Sequence, residues 1–232
     1  MWIVNRNVLK IIAVISMLID HIGLFFFGNN IVFRILGRIA FPIFAFFIAE
    51  GWKYTRSRKK YTLWLAIFAV ISQIPYAFLF EWYKLNILFT FLYSILFIVL
   101  IELFKKQTKL PELLKNLILI ISIIILFGLL LIADVFGLLN YGLIGVLLIL
   151  NFYFIKNKIR ILTGAFVIIL FAVRSILFDG IVFRSFLSLF ALLSIILMLF
   201  YNGEKGKLNL KYFFYIFYPS HLMLIWIITL FI

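Results

Sequence analysis

Apolar stretches of roughly twenty residues, separated by short polar breaks, recur from residue 8 to residue 231. A hydrocarbon core about 30 Å thick takes ~20 residues of helix to cross. Read run by run, the pattern predicts nine spans, at 8–27, 31–52, 61–80, 85–104, 114–132, 136–155, 159–178, 183–201 and 212–231. The alternating segments of a membrane β-barrel are missing. The expected fold class is therefore all-α, a polytopic membrane helix bundle. Residues 1–232 are expected to form one domain, because the loops are too short to hold a soluble one.

The polar breaks fall into two kinds. Every second one is basic: Arg6 and Lys10; Lys53 to Lys60; Lys105, Lys106, Lys109 and Lys115; Lys156, Lys158 and Arg160; Lys205, Lys207 and Lys211. The intervening breaks (28–30, 81–84, 133–137 and 179–180) are nearly neutral. Lys and Arg collect on the cytoplasmic side of a membrane. This ladder therefore places the N-terminus inside and, after an odd number of spans, the C-terminus outside. Trp52 and Trp82 fall at span ends, where interfacial anchors belong. The first run follows Arg6 and Lys10 as a signal peptide would, but it is too long for an h-region and lacks a cleavage pattern. It is expected to stay in the chain. The expected location is the cell (cytoplasmic) membrane, multi-pass, with the lipid bilayer as partner.

Composition agrees: 67% of residues are hydrophobic and 13% charged, where soluble domains carry about 25% charge. A net charge of +14 invites a nucleic-acid reading, but its carriers sit in loops between spans, so no nucleic-acid partner is expected. With no Cys, disulfides, thiol catalysis and thiolate metal sites fall away. No Walker-type glycine loop, HExxH or GxSxG is present, which weighs against ATPase, zincin and serine-hydrolase chemistry. The two His and an Asp lack ligand spacing, and no metal is expected.

Ionisable groups inside a bilayer are costly unless paired or wetted, so each is a functional candidate. At 1.5 Å per residue, His21 lies roughly 16 Å beyond Lys10, and His221 roughly 15 Å beyond Lys211. Arg38 lies roughly 12 Å in from the outer end of the second span; Gln73 and Arg174 fall slightly further out. Both histidines and Arg38 are therefore expected at one level near mid-membrane. Eleven helical residues make three turns plus roughly 20°, which sets Lys10 and His21 on one face. Asp20 neighbours His21 and could orient its ring or pair with an arginine, but not both. Arg34 could snorkel to the outer surface. Pro42, Pro75 and Pro219 are expected kinks. Glu50 and Glu102 are expected to be structural, and Asp134, Asp179 and Arg184 to lie in or near outer loops with solvent as partner.

Several segments resemble the TraX family in order along the chain. They are MLIDHIG (17–23), RILGRIAFPIFAFFIAEGWKYTR (34–56), ISQIPY (71–76), LNILFTFL (85–92), YGLIGVLLIL (141–150) and YFFYIFYPSHLMLI (212–225). The family's member in conjugative plasmids is known as the acetylase of the pilin N-terminus, and many chromosomal relatives have no conjugation role. It is similar to a larger group of transmembrane acyltransferases that draw on cytosolic acyl-CoA. That group has an Arg/Lys-x10-His pattern in its first helix, which Lys10 and His21 match. The resemblance implies His21 as general base or transient acyl carrier, and Lys10 near the CoA end. Family members often carry an acid before the Tyr-Gly of the sixth span, where this chain has Asn140. A carboxylate acting there must come from elsewhere, or the acceptor has changed.

Acyl transfer from a thioester needs a base, donors for the tetrahedral oxyanion, and a dry site. His21, with Asp20 beside it, is the expected catalytic group. Arg34, Arg38, Asn86, Ser220 and His221 are the expected substrate-binding donors. The expected function is transfer of an acetyl or other short acyl group from acetyl-CoA or another acyl-CoA, as co-substrate, to an amine or hydroxyl at the outer side. The acceptor is an unidentified peptide, glycan or lipid. A transporter would also bury charge at mid-membrane, although no two-half repeat is seen. A non-catalytic binding module would tolerate changes at Asp20, His21 and Arg38.

Overall fold

A computed structural model describes residues 4–28, 30–106, 111–179, 186–207 and 211–231. Lys109, Arg184 and the first residues of the eighth expected span lie outside them. Within them the fold is all-helical. Helices α1 (Arg6–Phe26), α2 (Ile31–Gly37), α3 (Ala40–Tyr54), α4 (Arg58–Leu79), α5 (Ile87–Lys106) and α6 (Glu112–Val135) come first. Then follow α7 (Gly142–Phe154), α8 (Ile159–Asp179), a 3-10 turn (Leu187–Ala191), α9 (Leu192–Leu199) and α10 (Lys211–Thr229). Six of the described apolar stretches are long enough to cross a membrane, with α2 and α3 taken as one. The stretches around α7, α9 and α10 are apolar but shorter.

Local chemistry sets the ends. The Asn5 side chain accepts the Val8 N–H and starts α1; Ser57 does the same for Lys60 at the start of α4. The second expected span breaks between Gly37 and Ala40. Pro42 has no N–H, so the Arg38 carbonyl, four residues back, loses its helical donor. The sixth expected span begins later than its hydrophobicity suggests. Gly137 (φ 63°) turns the chain, Leu139 bridges to Leu85, and Tyr141 (φ 59°) sits left-handed just before α7. Asp134 is not left to solvent. One carboxylate oxygen accepts the Leu143 N–H at 3.0 Å and the other meets Arg174 at 2.8 Å, a fit for the positive N-terminus of α7.

Helix α3 is the centre of the bundle, packed against α1, α5, α7 and α9. Lipid tails are as apolar as leucine, so helices associate through close van der Waals packing and small residues rather than hydrophobic transfer. Ala40, Ala45 and Ala49 are buried on α3 together with Ile43 and Phe46. By contrast, Leu130 is the one residue of α6 that is fully enclosed. The rest of α6 offers aliphatic side chains to its surroundings.

Polar contacts tie helix ends together in two groups. Arg58 and Tyr153 both bond Glu102, and Arg160 pairs with the buried Glu50 at 2.6 Å. The Arg6 N–H donates to the Glu204 carbonyl, while Val4 bridges to Tyr201. These contacts join the start of α1, the end of α3, the start of α4, the end of α5 and the start of α8. The opposite ends are joined by Asp134–Arg174, Leu85–Leu139 and Gln73, which holds both the Lys84 carbonyl and Asn86.

Candidate active site

One face of α1 carries Asn7, Lys10, Val14, Met17 and His21, spaced alternately three and four residues apart. Such a stripe follows one side of a helix. All five residues line a cavity of about 400 Å³ enclosed by α1, α3, α4, α5 and α10. Small-molecule and cofactor sites typically fall in the ~300–1,000 Å³ range. Gly37, Ala40, Phe44, Phe47 and Gly51 form the facing wall, two rings flanked by small residues.

The two ends of this cavity differ in chemistry. At the first lie Arg6, Lys10 and Lys205. Lys205 is exposed, so the cavity reaches the surface there. Its loop is held over the start of α1 by the Asn202 N–H to Val4 carbonyl bond and by the Arg6–Glu204 contact. The Lys10 ammonium sits 5.1 Å from the Phe47 ring centre and 4.8 Å from that of Phe214. This contact stabilises a partly desolvated cation.

Three turns deeper, roughly 16 Å along α1, is His21. Its Nδ1 lies 2.9 Å from Nε2 of His221 on α10, with the two rings nearly parallel at 2°. The Nδ1 of His221 lies 2.9 Å from the carbonyl oxygen of Phe217. Phe217 stacks on His221, and Phe80 meets His21 edge-on. His221 is buried; His21 faces the cavity. The two histidines, 200 residues apart and expected only to share a depth, are in direct contact, whereas Arg38, expected at the same level, does not line the cavity.

Asp20 takes the arginine and not the ring. Its Oδ2 accepts from Arg34 Nη1 at 2.7 Å, both side chains being more than four-fifths covered. Gly37 makes this possible, because a Cβ there would collide with the Asp20 carboxylate. The other carboxylate oxygen has no hydrogen-bond partner among the described residues, and Asp20 still lines the cavity. Arg38 does not line this cavity but a smaller one beside it, together with Tyr141, which stacks on Phe41 with ring centres 3.8 Å apart.

Other expected donors are placed differently. Asn86 is fully buried, and its amide N–H groups go to the Ala69 carbonyl (2.8 Å) and Gln73 (2.9 Å). Its Oδ1 accepts the Leu88 N–H, so it fixes the start of α5. Ser220 is exposed and does not line the cavity. Asn140 does line it, and donates to the Tyr76 hydroxyl at 3.3 Å. Arg6 and Lys205 were not singled out in the sequence. Arg6 was readable as one turn before Lys10, whereas Lys205 arrives through the Val4–Tyr201 pairing, which leaves no local signal.

A family model described as TraX protein matches residues 5–229. The chain is 29% identical to the probable fimbrial assembly protein FimC, serogroup H1, of Dichelobacter nodosus, over 94% of this chain and 92% of that protein. It is 40% identical to the uncharacterized protein RP591 of Rickettsia prowazekii (strain Madrid E), over 33% of this chain and 29% of that one. No solved structure matches.

Proposed function

The chain belongs to the TraX family, and from that premise we propose that it is a membrane-embedded acyltransferase. It takes an acetyl or other short acyl group from cytosolic acyl-CoA and passes it to an amine or hydroxyl reached from the outer side. The observation that carries the proposal is one cavity with three cations at its surface end and His21 about three turns inside. Phosphates are held by charge-assisted hydrogen bonds from cationic side chains, which Arg6, Lys10 and Lys205 supply. A thin, extended pantetheine arm fits the ring-lined passage between. The thioester then reaches the imidazole.

In the proposed topology nine helical segments cross the cytoplasmic membrane, with the N-terminus inside and the C-terminus outside. Its support is geometric. The basic breaks expected on one side contact one another through Arg58–Glu102, Arg160–Glu50 and Arg6–Glu204.

His21 acts as general base on the acceptor, or carries the acyl group in passing. Its burial among Phe80, Met17 and Phe217 keeps out bulk water, which would otherwise hydrolyse the thioester. Tyr76, Asn140 and Tyr141 bring polar hydrogens to the same end, where an oxyanion needs them. Because one relative is named a probable fimbrial assembly protein, a subunit peptide is the acceptor to try first, ahead of glycan and lipid.

The test is transfer of label from radiolabelled acetyl-CoA in proteoliposomes, with and without membranes of the source cell. The proposal expects label on the protein or on a membrane component, and its loss in His21→Ala. Solute flux without covalent labelling would replace this reading with a transporter.

A further inference from the structure

The pair of histidines at the deep end of the cavity has a direction that the acyltransferase reading does not specify. A carbonyl oxygen can only accept, so the contact between Phe217 and His221 requires a proton on His221 Nδ1. A neutral His221 then has a bare Nε2, which faces His21 Nδ1 at 2.9 Å. That contact in turn needs a proton on His21 Nδ1, leaving the His21 Nε2 lone pair free. The two rings cannot both be charged, because two N–H groups would then point at each other across 2.9 Å.

We infer that His221 is a positioning residue, which takes its polarity from the Phe217 carbonyl and holds His21 in the Nδ1–H tautomer, so that Nε2 is the basic atom. Resting on the acyltransferase reading, this names the atom that reacts and the group that orients it. In many hydrolases a carboxylate orients the histidine. Here the neighbouring acid, Asp20, is held by Arg34, and a second imidazole stands in its place.

The proton path closes without an outside partner. His21 Nε2 takes the proton from the acceptor O–H or N–H as the new acyl bond forms and the thioester C–S bond breaks. The positive charge so gained does not stay on one ring. The Nδ1 proton of His21 can cross the 2.9 Å nitrogen–nitrogen contact to His221 Nε2, placing the charge against the Phe217 carbonyl. It shifts back as Nε2 gives its proton to the departing CoA thiolate. Acyl ester or amide and free thiol are the products.

The chain has two histidines, so uniform 15N-histidine labelling gives a spectrum of this pair alone. In the protein reconstituted in bilayers, both rings should show protonated Nδ1 and bare Nε2, with coupling across the hydrogen bond from His21 Nδ1 to His221 Nε2. A His21 ring protonated on Nε2 and bare on Nδ1 overturns the inference. Kinetics give a second arm. His221→Ala should lower kcat at least ~100-fold, as loss of the correct tautomer does elsewhere, with KM for acetyl-CoA little changed. His221→Gln, whose Oε1 can still accept from Nδ1–H, should return to within about tenfold of the parent. A His221→Ala protein with the parent's kcat also overturns it. The expected spectrum in a protein that transfers no acyl group would instead sink the acyltransferase reading and leave the tautomer assignment in place.

Discussion

The two ends of the cavity are built on opposite principles. The surface end gathers three cations from α1 and from the loop after α9. Lys205 is exposed, and Lys10 is held softly by two aromatic rings. At the deep end three of the four ring nitrogens of the histidine pair have fixed partners, down to the backbone carbonyl that orients His221, and His21 Nε2 is left to act. Recognition of a charged, flexible group tolerates adjustable donors, whereas chemistry requires a group held in one tautomer and one pose. On the acyltransferase reading, the comparison separates binding from reaction by about three turns of one helix, and substitutions should separate them too.

The largest effect expected is at His21. His21→Ala should remove general-base assistance and lower kcat by ~10²–10⁴-fold, with binding of CoA retained, as measured by single-turnover transfer and equilibrium binding. At the other end, Lys10→Gln and Arg6→Gln should each raise KM for acetyl-CoA about tenfold, the value of a hydrogen bond to a charged group. Their kcat should stay near the parent's. Should a surface-end variant lose kcat instead, the division between the ends is wrong. A smaller, sharper contrast uses dephospho-CoA thioesters: weaker binding to the parent, and a reduced difference in the surface-end variants.

Asp20 and His21 are adjacent in sequence yet belong to different systems, and stability measurements should reveal it. Removing Arg34 leaves the Asp20 charge largely buried and without its 2.7 Å partner. Arg34→Ala should therefore cost on the order of 3–5 kcal/mol in stability, read by denaturant titration in detergent. Smaller than that, Asn86→Ala should cost about 2–3 kcal/mol, because it removes a cap from α5 and leaves the buried Ala69 carbonyl and Gln73 amide without their partner. It should not change kcat, since Asn86 offers no free N–H to a substrate.

Much of this was legible in the chain. Bilayer thickness turns hydrophobic run length into spans, and the basic breaks give their ends, so the segments were readable. The Lys10–His21 face follows from helical period alone. Counting depth along the helices set His221 at the level of His21, but their contact was not readable. What stayed hidden depends on how helices meet. Nothing local says that Gly37 brings α2 close enough for Arg34 to take Asp20. The break at Arg38 arises from Pro42 acting four residues back, and the late start of α7 from a left-handed Tyr141. Asn86 reads as a polar residue within the fourth span until Gln73 is seen to take up its amide.

The central claim is that a thioester entering between Arg6, Lys10 and Lys205 meets His21 at the far end. A CoA thioether carrying a photoreactive group in place of the acyl carbon tests it directly, with crosslinked peptides read by mass spectrometry. The account predicts crosslinks in the Met17–Gly23 segment of α1 and around Phe217–His221 of α10, suppressed by excess CoA. Crosslinks confined to the lipid-facing side chains of α6, or to the basic loops alone, would contradict it.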